Sequence, residues 1–101
     1  MAFQRVGSLP ALPEGSMTEI EIGTARIALC RVEGEVHAID GVCPHRGGPL
    51  GMGALHGKMV VCPWHAWEFD CTTGANDYDP DLKQRKFAVR IEGEEIFADV
   101  G

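Results

Sequence analysis

At 101 residues the chain has room for one domain with a modest core. A formal charge of −6, from fifteen acids against nine bases, argues against a nucleic-acid backbone or an anionic membrane surface as its main partner. No stretch approaches the roughly 18 apolar residues of a membrane span, and thirteen glycines with six prolines point to many turns and short strands.

In chain order, a first strand is expected over residues 3–9, closed by the proline- and glycine-bearing segment 10–15. Residues 17–22 alternate Met17, Glu19, Glu21 against Thr18, Ile20, Ile22, the pattern of a half-buried strand. Residues 25–33 and 35–39 flank Glu33-Gly34, which predicts a hairpin. Residues 41–57 are glycine-rich and read as an insert too irregular for sheet, with His56 in the loop at its end. Short strands follow at 58–61 and 67–70, and Thr73-Gly74 signals a turn. Residues 79–86, beside Pro80, give at most one helical turn. A last hairpin is expected from 86–92 and 94–100 around Gly93, with Phe87, Val89 and Ile91 on one face. The chain reads as all-β, a single domain over residues 1–101.

The four cysteines raise the question of a disulfide scaffold. Residues 1–15 contain no apolar run of signal-peptide length, so a reducing, cytoplasmic setting is expected, with cysteines free or ligating. CPHRGGPL begins at Cys43 and CPWHAWEF at Cys62; together they spell Cys-x-His, sixteen residues, then Cys-x-x-His. Thiolate and imidazole donors suit iron–sulfur or zinc centres far better than calcium or magnesium. Pro44 and Pro63 restrict the backbone beside each cysteine. Gly47, Gly48, Gly51 and Gly53 would let the first loop curl over a cluster and present N–H groups to its sulfides. A zinc site with two cysteines and two histidines is the chemical rival. Its usual grammar, cysteine paired with cysteine and histidine with histidine, fits this spacing poorly.

The sequence here resembles the Rieske [2Fe–2S] family, strongly over residues 41–74. The resemblance implies small antiparallel sheets with an inserted cluster-binding subdomain over about residues 41–74. It also implies one [2Fe–2S] cluster per chain, with Cys43 and Cys62 on the buried iron and His45 and His65 on the exposed one. That division of ligands is a property of the family, not something the spacing shows. The Pro80 region would supply a third loop over the cluster. Two departures are informative. Gly48 and Trp64 stand where Rieske proteins of respiratory complexes carry an extra disulfide, and Cys30 and Cys71 do not replace it. Ala66 replaces a glycine common in the family, and Ala66 and Trp67 stand where the high-potential type has smaller polar residues. Fewer hydrogen-bond donors imply a potential in the lower part of the family's known span of about −150 to +300 mV.

Outside the ligand set, Cys30 reads as a small core residue, Cys71 as similar but nearer the cluster, and His37 as a half-buried strand residue. Trp67 is expected to pack inward, on the same face as Phe69, and Trp64 to be exposed. Glu68, Asp70, Asp77, Asp79 and Asp81 form an acidic stretch that reads as a solvated loop or as a docking surface for a basic redox partner. Lys83, Arg85 and Lys86 are too few to imply nucleic-acid binding.

With all four ligand places filled, substrate activation has no seat, so no catalytic residue is expected. The resemblance implies the ferredoxin component of an oxygenase system, a monomeric electron carrier. Its partners would be an NAD(P)H-dependent flavoprotein reductase and a terminal oxygenase, with no nucleic acid and no membrane. Three alternatives stay open: the small subunit of an NAD(P)H nitrite reductase, a binding or regulatory module stapled by its cluster, and a redox sensor.

Overall fold

The structure is a computed structural model and describes residues 3–44, 46–64 and 66–100. Among the described residues ten strands follow in chain order: β1 Phe3–Ser8, β2 Met17–Ile22, β3 Ala25–Val32, β4 Glu35–Asp40, β5 Ala54–His56, β6 Met59–Val61, β7 Glu68–Asp70, β8 Lys86–Phe87, β9 Val89–Glu92 and β10 Glu95–Asp99. They form three antiparallel sheets ordered β1-β10-β9, β2-β3-β4-β8 and β5-β6-β7. The all-β expectation and the small-sheet architecture implied by the resemblance both hold. No helix among the described residues is long and apolar enough to cross a membrane.

Strand β3 is the shared wall of the molecule. Successive side chains of a strand face opposite ways, and here both ways lead into a core. Ile27 and Leu29 pack with Ala38, Phe87, Ile96 and Ala98 on one side. Ala28 and Cys30 pack with Ile39, Leu50, Val60 and Phe69 on the other. Burial on both faces accounts for the unbroken apolar run Ile27 to Cys30, where an edge strand such as β2 alternates.

The β3–β4 hairpin forms where expected. Glu33 and Gly34 both have positive φ, 53° and 79°, the pairing whose twist matches that of the flanking strands. A glutamate disfavours this conformation, and Glu14 offsets the cost: its carboxylate accepts the N–H groups of Glu33 and Gly34, both at 2.7 Å.

Three expectations need correction. The insert at 41–57 is not wholly irregular: a 3-10 turn at Leu50–Met52 leads into β5, whose residues Ala54–His56 pair with Met59–Val61 of β6. Exposed His56 is therefore the end of a strand, not a loop residue. Strand pairing supplies hydrogen bonds that a three-residue segment cannot advertise by periodicity. The last hairpin is shorter than expected, because Lys86 and Phe87 leave it to pair with Ile39 and Ala38 of β4. Its apolar face is also broken: Phe87 is buried while Ile91 is exposed. Residues 80–82 turn without forming a helix, within the limit of one helical turn expected there; Lys83 bridges to Ala75 and Lys86 opens β8.

Candidate metal centre

The β5-β6-β7 sheet and the loops around it carry the cysteine–histidine motifs. Val42 bridges to Pro49 across the base of the first loop. Within it, the Cys43 N–H donates to the Gly48 carbonyl at 2.9 Å and the Gly47 N–H returns to the Cys43 carbonyl at 2.7 Å. The second loop closes through the Cys62 N–H on the Trp67 carbonyl at 2.7 Å. Both turns are tight, and both point a buried sulfur inward.

The fold brings Cys43 and Cys62, about twenty positions apart in sequence, into the same buried core. The backbone N–H of Trp64 donates to the Cys62 sulfur, at 3.4 Å. Burial pushes the Cys62 thiol up from its ordinary value; the Trp64 N–H pulls it down and the Cys43 sulfur pushes it up again. His45 and His65, the other two expected ligands, lie outside the described residues.

Of the four loop glycines, Gly48 meets the site most directly. A Cβ there would lie 2.8 Å from the Cys62 sulfur and 3.2 Å from the Trp64 ring. Gly48 and Trp64 thus face each other, at the two positions where the respiratory relatives carry cysteines. The expectation that Gly51 and Gly53 also serve the cluster is corrected. A Cβ on Gly51 would strike Glu19 of β2 at 2.8 Å, and one on Gly53 would strike the Val61 carbonyl of β6. These two glycines let the insert lie down on neighbouring strands.

Ala66 adopts φ +58°, the left-handed conformation that glycine enters without penalty. The family's glycine preference at this position therefore has a visible backbone reason, and alanine tolerates the geometry at some cost. Trp64 is half exposed, while Trp67 packs against the same core as Phe69, as expected.

Two buried polar side chains that sequence reasoning missed hold the loops in place. Gln84 donates from Nε2 to the carbonyls of Asp40, at 2.9 Å, and Val42, at 2.6 Å, and so anchors the chain just before Cys43. Asn76 donates to the Glu68 carbonyl at 3.1 Å and accepts the N–H groups of Tyr78 and Asp79 at 3.0 and 2.8 Å. The segment around Tyr78 is thereby pinned beside the second ligand loop, where Ala66, Trp67, Tyr78 and Leu82 line a cavity of about 540 Å³. The residues on either side of Pro80, Asp79 and Leu82, thus stand beside Ala66 and Trp67 of the second ligand loop. An asparagine before an acidic turn was a readable signal for a local cap; nothing local marks Gln84.

The acidic stretch divides. Asp77, Asp79 and Asp81 are exposed, whereas Asp70 is half-buried on β7. Burial pushes its carboxyl up, but the hydroxyl and N–H of Thr72 and the Lys58 ammonium outweigh that and hold it below its ordinary value.

The donor set fits the implied group: two buried thiols in one core, an N–H donated to one of them, and a side-chain-free wall at Gly48. Sheets, paired ligand loops and buried sulfurs define a small all-β metal-binding domain. The family model of the Rieske [2Fe-2S] domain matches residues 2–93, and the chain belongs to that family. Membership makes a [2Fe–2S] cluster the cofactor of this domain. The chain is 40% identical over 87 residues to human (Homo sapiens) apoptosis-inducing factor 3, covering 85% of this chain and 14% of that protein. It is 33% identical over 94 residues to the ferredoxin component of the naphthalene 1,2-dioxygenase system of Pseudomonas aeruginosa, covering 92% and 90%. The solved ferredoxin of carbazole 1,9a-dioxygenase from Nocardioides aromaticivorans IC177 superposes with a TM-score of 0.87 at 30% identity, covering 97% of each chain. The chain thus spans a small part of the first relative and nearly all of the other two.

Proposed function

We propose that this chain is a one-electron carrier in an oxygenase system, with Cys43, His45, Cys62 and His65 as ligands of one cluster and a cluster-binding subdomain over about residues 41–74. It takes its electron from an NAD(P)H-dependent flavoprotein reductase and delivers it to a terminal oxygenase, as a monomer in the cytoplasm. The observation that carries this reading is the pair of buried cysteines that two loops place in one core, in a chain that matches ferredoxin components over nearly their whole length.

The bound cluster supplies a one-electron donor and acceptor. The residues supply the rest. Cys43 and Cys62 lose their protons on ligating, and burial keeps water from their sulfurs. The Trp64 N–H offsets part of the charge on the Cys62 sulfur. Gln84 and Asn76 hold the loops in position before any partner arrives, which limits rearrangement on electron transfer. Exposed Val42, Met52 and Trp64 lie on or beside the ligand loops and offer apolar side chains to a redox partner.

Optical and paramagnetic resonance spectra of the purified protein, before and after reduction, test the carrier role. The expected result is one cluster per chain that bleaches on one-electron reduction and recovers on reoxidation without loss of iron. Colourless, folded protein holding a single zinc ion overturns it. For the ligand set, His65→Cys replaces a neutral donor by a charged thiolate and should lower the potential or abolish the cluster. An intact variant with an unchanged or raised potential contradicts the assignment.

A further inference from the structure

Cys30 and Cys71 lie outside the ligand set, and the fold nevertheless puts them together. Cys30 sits within β3 and Cys71 directly follows β7. Both are fully buried in the same core and both are free thiols, and each perturbs the other: Cys71 pushes the Cys30 thiol up, and Cys30 pulls the Cys71 thiol down. Neighbouring contacts draw the two segments together. Cys30 stands opposite His37 across the β3–β4 ladder. Lys86 Nζ lies 3.4 Å from His37 Nδ1 and donates to the Thr72 carbonyl at 2.7 Å, which holds the residue after Cys71 over the same sheet. The Cys71 N–H is tied on its other side to the Lys58 carbonyl at 2.9 Å.

This pair spans a structural boundary. β3 belongs to the four-stranded sheet and β7 to the sheet that carries the ligand loops. A covalent link between them would enclose both ligand loops in one closed segment of chain. A cavity of about 630 Å³ lined by Glu14, Val32, Lys58 and Thr72 borders the residue after Cys71, while both sulfurs are closed to solvent.

We propose that Cys30 and Cys71 form a second redox site, a dithiol that hydrogen peroxide converts into a disulfide stapling the ligand-loop sheet to the four-stranded sheet. The Cys71 sulfur attacks one peroxide oxygen, the O–O bond breaks, and a sulfenic acid and one water form. The Cys30 sulfur then attacks the Cys71 sulfur, the S–O bond breaks, and the departing hydroxide leaves as water with the Cys30 proton. In total, two thiols and one peroxide give one disulfide and two waters. Cys71 is favoured as the attacking sulfur: the Cys30 side chain pulls its thiol down, and with help from the Lys86 ammonium this outweighs burial and the Asp70 carboxylate, which push it up.

The test treats the cluster-loaded protein with one equivalent of hydrogen peroxide, removes the excess, denatures in iodoacetamide and maps the peptides by mass spectrometry. The expected product is a peptide pair joined through Cys30 and Cys71 with the visible absorption of the cluster unchanged. A dithiothreitol-reversible rise in Tm of about 5–10 °C should accompany it. Recovery of both cysteines alkylated, oxidation of Cys71 to a sulfinic acid without a link, or a link between Cys43 and Cys62 overturns the proposal. In Cys30→Ala the sulfenic acid at Cys71 has no partner and should be trapped by dimedone, with no Tm rise; a rise that persists also overturns it. The wild-type map decides even where that variant fails to fold.

Discussion

The two cores that share β3 are built from different materials. The core between the β1-β10-β9 and β2-β3-β4-β8 sheets is hydrocarbon alone: Val6, Leu12, Ile27, Leu29, Ala38, Phe87, Ile96 and Ala98. The core under the ligand loops has Leu50, Val60 and Phe69 for bulk but also contains all four cysteines. Its sheet consists of three-residue strands, too short to be stable alone. One half of the molecule can therefore stand on apolar burial, while the other draws part of its stability from metal ligation. The contrast teaches that a small domain can divide its labour: one core holds the fold, and the other holds the chemistry.

The strongest way to break this comparison is to remove the iron. Chelation under reducing conditions should cost the amides of β5, β6 and β7 about 100-fold or more of their hydrogen-exchange protection, while β3 and β4 keep theirs. Equal losses in all three sheets would show that the cores are one cooperative unit. Next in size, Ile27→Ala empties a fully buried site of the hydrocarbon core and should cost about 2–5 kcal/mol by denaturant unfolding, in iron-loaded and iron-free protein alike. Leu50→Ala should cost a similar amount but should also lower iron content, because Leu50 closes the first ligand loop. Iron loss in Ile27→Ala equal to that in Leu50→Ala would erase the distinction.

Smaller changes sharpen the comparison inside the ligand half. Gly48→Ala places a methyl 2.8 Å from the Cys62 sulfur and should cost about 1–3 kcal/mol, with iron occupancy falling in proportion. Full iron loading in a variant of wild-type stability would mean that the loop yields at no cost. The smallest effect belongs to Ala66→Gly. Relief of the left-handed backbone outweighs the added freedom of the unfolded chain, so a gain of about 0.5 kcal/mol is expected in denaturant titration. A loss of stability would show that the methyl group of Ala66 makes packing contacts worth more than its strain.

Much of this molecule could be read in its sequence, because the relevant physics is local. Alternation in residues 17–22, the apolar run around Leu29 and the Glu33-Gly34 turn each describe a few neighbouring residues, and the strands and hairpin formed there. Ligand types and spacing pointed to the metal chemistry for the same reason. The insert was harder: β5 is three residues long and exists because Met59–Val61 offers it a partner, so no periodic signal precedes the pairing. Lys86 and Phe87 likewise continue an apparent hairpin in sequence but pair across to β4.

The sequence by itself determined the all-β class, the local turns and the chemical type of the centre, since propensity, turn geometry and donor softness belong to residue types. Only the tertiary structure decided which distant atoms meet. It set Gly48 against Trp64, carried Gln84 to the carbonyls of Asp40 and Val42, and placed Cys30 and Cys71 in one core between two sheets. Such contacts depend on sheet order and on burial from both sides of β3, and no run of neighbouring residues encodes where a remote strand will lie.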